Sequence, residues 1–377
     1  MLDPGIRFGA WSTTLGLAAL FGVSVALLLL STRHNRVANR LLAALIAVIV
    51  LALVPYIIGF AGFYDAYPAL SFAPFGWALA IGPLLYLQVL RQTSDRLPPR
   101  AWRHGIPVAV KIAYTSVIFV QPLAFKDDWD TRIHSPWIGP LETVLVFVSL
   151  TVYLAAAFRV HRRYQRWLVD HVSNREEFRL DAQRNTLIAF AILTAIWLPY
   201  EIASAAFGFN YFDRYPLYVL MALLVCALGL EGWRHAELRY PLPLADPAPP
   251  APIAEPAGRD WAADGQRWLA RTRDAGWWRD PELNVERLAR HLATNTAYLS
   301  RAFNEGLGLS FNEAINRLRV DAVRVLLADP SENRDLLDIA FAAGFSSKSS
   351  FNRVFKAQTG ETPSRFRERA QAERPES

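Results

Sequence analysis

The sequence predicts an all-α protein, in which a seven-span transmembrane helical bundle is followed by a smaller soluble domain with two helix-turn-helix motifs. Three observations predict this fold. Long apolar stretches fill residues 1–235, the loops between them alternate between basic and non-basic, and one short helical pattern occurs twice after residue 280. A length of 377 residues allows two or three domains.

Composition divides the chain into four parts. We expect a transmembrane sensor domain over residues 1–235, a Pro-rich linker over 236–259, a soluble domain over 260–370 and a disordered tail over 371–377. The linker contains seven prolines, which fix φ and donate no backbone hydrogen bond, so it should be an extended spacer. The single cysteine, Cys226, excludes a disulfide within the chain.

Seven stretches are apolar and long enough to cross about 30 Å of hydrocarbon, which takes roughly 20 helical residues. None alternates like a β-strand, and a helix satisfies its own backbone polar groups in lipid. The predicted spans lie near residues 10–30, 38–59, 72–90, 105–123, 138–157, 186–207 and 215–232.

Basic residues in the loops predict the orientation of these spans. Every second loop is rich in arginine, namely 31–37, 91–104 and 158–185. The intervening loops are poor in basic residues, namely 60–71, 124–137 and 208–214. Because positive loops stay in the cytoplasm, we expect a multi-pass protein of the cytoplasmic membrane with an outside N-terminus and a cytoplasmic C-terminus.

Few ionisable side chains occur inside the predicted spans, where such groups are costly and often functional. Glu142 and Glu201 fall in the outer halves of their spans, whereas Lys111 lies nearer the inner face. Pro199 can kink the helix that carries Glu201. Glu201 and Glu142 are therefore candidate signal-sensing residues. The alternative is that Glu142 lies among the headgroups and that Lys111 snorkels toward them.

A helix-turn-helix pattern occurs twice in the soluble domain. Residues that can cap its helices are Asn284, Asn295, and Ser346 or Ser347. The second helices align as Leu299, Arg301, Phe303 and Gly308 with Phe351, Arg353, Phe355 and Gly360. An apolar–x–Arg–x–apolar frame with cap and stop signals on both sides indicates a duplicated motif.

One uninterrupted helix is predicted between the two copies, from about Phe311 to Ala328. Eighteen residues at about 1.5 Å each give a rod of roughly 27 Å. Helices that read one face of B-DNA must lie about one turn, roughly 34 Å, apart. A rigid helix of this length is a suitable spacer for reading two successive major grooves.

The placement of charge, and not its sum, indicates nucleic acid as a partner. Residues 260–377 contain 18 Lys and Arg against 17 Asp and Glu. On the second helices, however, the positions not used for core packing can contact bases and phosphates. They are Thr296, Ala297, Ser300, Arg301, Asn304, Lys348, Ser349, Asn352, Arg353 and Lys356. The alternative is that these residues only form a solvent-exposed helix face. The duplication of the motif, with a helix of suitable length between the copies, argues against this alternative.

At these residues the sequence resembles the AraC/XylS-type transcription regulators over about residues 262–370. The first half of the family's signature is matched by Tyr298-Leu299-Ser300-Arg301, Phe303, Gly308 and Ser310-Phe311. The second half is matched by Asp338-Ile339-Ala340, Gly344-Phe345-Ser346-Ser347, Phe351-Asn352-Arg353-Val354-Phe355-Lys356, Gly360, Thr362-Pro363 and Phe366-Arg367. The resemblance implies a seven-helix DNA-binding domain that usually acts as an activator, with recognition helices that begin near Asn295 and Ser347. The spanning half departs from the family's more usual cupin-like sensor.

No enzyme signature, metal-ligand spacing or phosphate-binding loop occurs in the sequence, so we expect neither catalysis nor a cofactor. The expected partners are double-stranded promoter DNA, membrane lipid, RNA polymerase, a possible second copy of the chain and an unknown ligand. Two alternatives remain at this point. The protein could be a transporter-like membrane protein whose C-terminal domain only regulates it, or a receptor whose C-terminal domain docks on a protein.

Overall fold

The computed structural model describes residues 5–171, 181–237 and 259–372, and every regular element in these ranges is helical. The predicted all-α class is confirmed. The chain divides into two compact units, the first made of Met1–Arg162 and Leu180–Ala245, the second of Arg163–Arg179 and Asp246–Ser377. The proline run of the predicted linker and residues 373–377 of the predicted tail lie outside the described residues.

The first unit is built from α-helices that follow the predicted spans and the segments between them. They are α1 (Ala10–Leu30), α2 (Arg36–Phe60), α3 (Phe63–Ala66), α4 (Ile81–Thr93), α5 (Ile106–Phe119), α6 (Leu123–Trp129), α7 (Gly139–His171), α8 (Asp181–Phe207) and α9 (Tyr215–His235). The part of α7 from Arg163 onward belongs to the second unit. The predicted loop 124–137 is instead helical, because α6 continues through a wide π-helical segment, Asp130–Ile138, into α7.

Five helical stretches of the described residues are long and apolar enough to cross a membrane. They are Ala10–Leu30, Arg36–Phe60, Leu123–Leu168, Asp181–Ser204 and Phe212–His235, with mean hydropathies between 1.7 and 3.0. Each overlaps one predicted span. The five stretches support insertion in a lipid bilayer, whereas the exact count of seven spans stays a prediction.

The two remaining predicted spans, 72–90 and 105–123, contain shorter helices than expected. The 13 residues of α4 and the 14 residues of α5 each extend about 20 Å, short of the roughly 30 Å of hydrocarbon. Phe72 has a φ of 63°, and Pro74 and Gly76 follow it, so regular helix begins only after this irregular stretch. At the other end, Pro122 ends the helical run of α5.

The outer faces of the first unit are apolar, as a lipid solvent requires. Leu20 on α1 is 64% exposed and Val110 on α5 is also 64% exposed, with many similar side chains on the other long helices. In the described part of residues 259–372, by contrast, the exposed large apolar side chains are Val325, at 73%, and Phe341, at 47%. Exposed apolar area costs free energy in water but not in lipid, so the first unit is suited to a bilayer.

Hydrogen bonds join the helix ends that border the predicted cytoplasmic loops. The side-chain amide of Asn39, at the start of α2, donates to the Ala236 carbonyl just after α9 at 3.0 Å. The Gln183 side chain of α8 lies 2.8 Å from His161 Nδ1 and donates to Gln92 Oε1 of α4 at 2.7 Å. The end of α9 therefore lies at the same end of the bundle as the basic loop 31–37.

The second unit contains seven α-helices in its described residues after 259, the number that the resemblance implies. They are α10 (Trp261–Asp274), α11 (Val285–His291), α12 (Thr296–Arg301), α13 (Phe311–Leu327), α14 (Leu336–Ala342), α15 (Lys348–Thr359) and α16 (Pro363–Ala372). Thus α11 with α12, and α14 with α15, are the two predicted helix-turn-helix motifs, and α13 is the predicted connecting helix.

Side-chain caps mark where three of the four helices of the two motifs begin, whereas Asp335 before α14 makes no such hydrogen bond. Asn284 and Asn295 accept hydrogen bonds from the backbone at the starts of α11 and α12, as predicted. Of the two serines predicted before α15, it is Ser347 that caps the helix. Ser310 and Glu313 form a reciprocal capping box at the start of α13. The backbone of both recognition helices is therefore set by local sequence.

A buried arginine joins the connecting helix to the segment just before the first motif and to the turn of the second motif. Arg319 of α13 is fully buried, and its guanidinium donates to the carbonyls of Trp278 at 2.9 Å and Asp280 at 2.8 Å. Its guanidinium carbon also lies 5.8 Å from the ring centroid of Phe345, in the turn of the second motif. Burial lowers the pKa of Arg319 to about 10, so it remains charged at neutral pH. This charge is compensated by carbonyl dipoles and by nearby Asp280.

Candidate nucleic-acid interface

The first recognition helix presents its predicted contact residues on the side away from the core. Leu299 and Phe303 are fully buried, while Ala297 and Asn304 are exposed. Thr296, Ser300 and Arg301 are partly exposed. Asn304 lies beyond the end of α12, in a π-helical turn over Ala302–Gly306, so its side chain projects from a wider turn than predicted.

Close backbone packing against α10 accompanies this wide turn. A Cβ placed on Gly265 of α10 would lie 2.7 Å from the Ala302 carbonyl oxygen. A Cβ on Gly306 would lie 2.2 Å from the Trp261 carbonyl oxygen. Such distances are far below normal van der Waals contact, so both positions require glycine. The first motif is thereby held firmly against α10.

Contacts within the protein already engage Arg301. Its Nε lies 3.0 Å from Glu305 Oε1, and its guanidinium carbon lies 5.0 Å from the centroid of the Trp261 ring. Stacking on an indole orients the guanidinium, and the carboxylate competes with any phosphate or base for the same donors. Sequence reasoning missed Trp261 and Glu305, although the i, i+4 spacing of Arg301 and Glu305 could have indicated the ion pair.

Replacing Glu305 with glutamine is expected to strengthen DNA binding about two- to fivefold, because an exposed ion pair worth up to about 1 kcal/mol no longer competes for Arg301. Binding of the solubilised full-length protein to a selected DNA site would measure this effect. Glu282→Gln is the matched control, since Glu282 pairs with Arg287 outside both recognition helices. If both variants bound DNA more tightly by the same factor, the change in net charge alone would explain the effect, and the ion pair with Arg301 would have no specific role.

The second recognition helix, α15, exposes all five of its predicted contact residues. They are Lys348, Ser349, Asn352, Arg353 and Lys356. Phe351 and Phe355 are buried on the opposite side, as predicted. Gly360 ends the helix with a φ of 83°, a conformation that favours glycine. The helix therefore presents two lysines, an arginine and two small polar side chains, a set that can bind phosphates and base edges.

Two of the three arginines of α16 form contacts within the protein, which makes them less available for binding a nucleic acid. Arg369 lies 2.7 Å from Glu361, and Arg367 donates to the Arg334 carbonyl at 2.9 Å. These contacts fix α16 to the rest of the domain.

The structure brings the two predicted sensing residues of the first unit to one cavity of about 770 Å³. Glu201 accepts hydrogen bonds from Trp197 Nε1 at 2.9 Å and from Arg214 Nη1 at 3.2 Å. Glu142 forms an ion pair with Lys111. The predicted topology placed Lys111 and Glu142 in different halves of the bilayer, but their contact requires that they lie at one depth.

Comparison with known proteins identifies the C-terminal part of the chain. Residues 288–369 match a family described as a helix-turn-helix domain. An uncharacterised HTH-type transcriptional regulator of Staphylococcus aureus (strain COL) is 34% identical over 86 residues, which are 23% of this chain and 11% of that protein. The melibiose operon regulatory protein of Escherichia coli (strain K12) is 33% identical over 95 residues, which are 25% of this chain and 31% of that protein.

The matched region is therefore a small part of either relative, about a tenth of the first and a third of the second. No solved structure matches the chain. The family match, over residues 288–369, falls where the structure has its two helix-turn-helix motifs and the connecting helix. The C-terminal part of this chain carries an AraC-type helix-turn-helix domain.

Proposed function

We propose that the protein is a membrane-anchored transcription regulator, whose two helix-turn-helix motifs bind promoter DNA sequence-specifically under the control of the membrane-embedded first unit. The main support is the duplicated motif, because Phe303 in the first copy and Phe351 and Phe355 in the second are buried while a polar face that can contact bases is left outside. In this proposal Arg301 and Arg353 read bases, while Lys348 and Lys356 bind phosphates.

The reading of two successive major grooves is supported by α13. Its 17 residues give a rod of about 26 Å, and its apolar side chains share one hydrophobic core with those of both motifs. The predicted parts of the chain keep their roles in this proposal: a sensor domain over 1–235, a spacer over 236–259 and the DNA-binding domain over 260–370. RNA polymerase, a second copy of the chain and lipid are the further partners that we propose.

Binding to DNA is tested with the solubilised full-length protein and a pool of random duplexes. We expect enrichment of a defined sequence and a steep loss of affinity as salt rises, because phosphate contacts release counterions. Genome-wide mapping of bound sites would then identify the regulated genes. Recovery of no enriched sequence would contradict sequence-specific binding and favour a C-terminal domain that docks on a protein.

The proposed orientation is supported by the basic loops, and the hydrogen bond between Asn39 and Ala236 supports placing the end of α9 beside loop 31–37. A reporter enzyme that folds only in the cytoplasm, fused after Tyr240, is expected to be active. The same reporter fused within loop 208–214 is the control and should be inactive. Activity of a periplasm-specific reporter after Tyr240 would refute a cytoplasmic DNA-binding domain.

A further inference from the structure

The cavity that holds Glu142 and Glu201 is unusual for the interior of a membrane-embedded unit because it contains two ion pairs. One joins Lys111 of α5 to Glu142 of α7. The other joins Glu201 of α8 to Arg214, which lies in the short turn just before α9. Charged groups in a lipid-embedded bundle are costly and are retained mainly where they have a function.

All four charged side chains are partly accessible. Their exposed fractions are 12% for Lys111, 26% for Glu142, 19% for Glu201 and 31% for Arg214. A small molecule in the cavity could therefore contact each pair, while the surrounding protein shields the pairs enough for charge to matter. The cavity volume of about 770 Å³ leaves room for a ligand of amino-acid size or larger.

The charges of the cavity restrict the net charge of a ligand that can bind there. The two cations and two carboxylates balance, so a ligand with one net charge would leave an uncompensated charge in a poorly solvated space. A molecule that carries one ammonium and one carboxylate adds no net charge and can pair with a carboxylate and a cation of the cavity. Its apolar part would contact the aromatic walls formed by Phe147, Trp197 and Tyr56.

We infer that this cavity binds a small zwitterion of the α-amino-acid class, with the ligand ammonium toward Glu142 or Glu201 and the ligand carboxylate toward Arg214 or Lys111. The inference deepens the proposed sensor role of the first unit and rests on it. Both ion pairs connect different elements, so a ligand that exchanges partners with them changes how α5 is held to α7 and how α8 is held to the start of α9. Since α9 runs from just after Arg214 to the Pro-rich linker, this change lies one helix away from the linker in the chain.

The test uses the full-length protein in lipid nanodiscs, with ligand binding followed by thermal shift and calorimetry. The probes are the twenty proteinogenic amino acids, tested singly, together with the matching amine without a carboxylate and the matching acid without an amine. We expect at least one amino acid to bind and its two single-charge analogues to bind about tenfold or more weakly. Binding of none of the twenty, or equal binding of a single-charge analogue, would overturn the inference.

Two variants locate the binding site. Glu201→Gln should weaken the zwitterion about tenfold or more, because one charged partner is lost. Leu198→Trp keeps both ion pairs but fills the cavity from a wall residue that is 48% exposed, and it should also abolish binding. Arg132→Met is the matched control, because it removes an exposed ion pair with Asp128 outside the cavity. Unchanged affinity in Leu198→Trp would refute this cavity as the site, even if Glu201→Gln failed to fold.

DNA binding by the same preparation separates this inference from the proposed function. A protein that binds its selected DNA site but no amino acid would overturn the zwitterion site alone. A protein that binds an amino acid at the cavity but no DNA would overturn the regulator proposal while leaving the ligand site standing.

Discussion

Replacing Arg319 with alanine is expected to lower the free energy of unfolding of the C-terminal domain by about 3–5 kcal/mol. The change removes a fully buried side chain, leaves a cavity beside Phe345, and deprives the carbonyls of Trp278 and Asp280 of their donor. For a domain of this size, the melting temperature should fall by more than about 10 °C.

Denaturant unfolding of a 257–377 fragment would measure this loss, since in the part of the chain that the structure describes the residues of the domain's hydrophobic core cluster all lie between Trp268 and Phe366. Arg317→Ala is the matched control: it lies on the same helix, but its side chain is exposed, so we expect a change within about 0.5 kcal/mol. Arg319→Lys should recover part of the stability, because an ammonium can still donate to a carbonyl. Equal effects of Arg317→Ala and Arg319→Ala would contradict the role of the buried guanidinium.

Local sequence signals predicted most of this domain. Asn295 and Ser347 were recognisable as caps, and the predicted helix from Phe311 to Ala328 differs from α13 by one residue. These signals depend on neighbours within about one helical turn, so a single sequence contains them. Core positions such as Leu299 and Phe351 followed from helical periodicity for the same reason.

Features that depend on distant residues could not be predicted in this way. In the sequence, Arg319 is one more polar position on a predicted helix, because the carbonyl groups that it binds belong to residues about 40 positions earlier. The pairing of Lys111 with Glu142 likewise joins two helices, and hydropathy alone placed the two side chains at different depths. The shortness of α4 depends on the irregular backbone around Phe72, which an apolar window does not distinguish from a span.

Replacing Arg353 with alanine is expected to weaken binding to the selected DNA site by about 1–3 kcal/mol, which is roughly 5- to 150-fold. Arg353 is exposed near the middle of α15, on the face opposite the buried Phe351 and Phe355, and a guanidinium there can bind guanine through two hydrogen bonds. The lost affinity should come from the contact with one base pair of the site, and at that base pair the variant should discriminate less among the four bases.

Competition binding against single-base variants of the selected site would distinguish a base contact from a phosphate contact. A base contact predicts relaxed specificity at one position, whereas a phosphate contact predicts uniform weakening and a smaller salt dependence. Arg324→Ala is the charge-matched control, because Arg324 lies on α13, outside both recognition helices. If Arg353→Ala bound every variant as the unmodified protein does, Arg353 would not take part in reading the sequence.

The single core shared by both motifs has a consequence for the promoters that such a protein could regulate. Arg319 and the helix that carries it leave little freedom for one motif to turn relative to the other. Each base pair inserted between two half-sites turns the outer one by about a tenth of a revolution around the duplex. Target promoters should therefore tolerate base substitutions far better than single-base insertions or deletions between the half-sites.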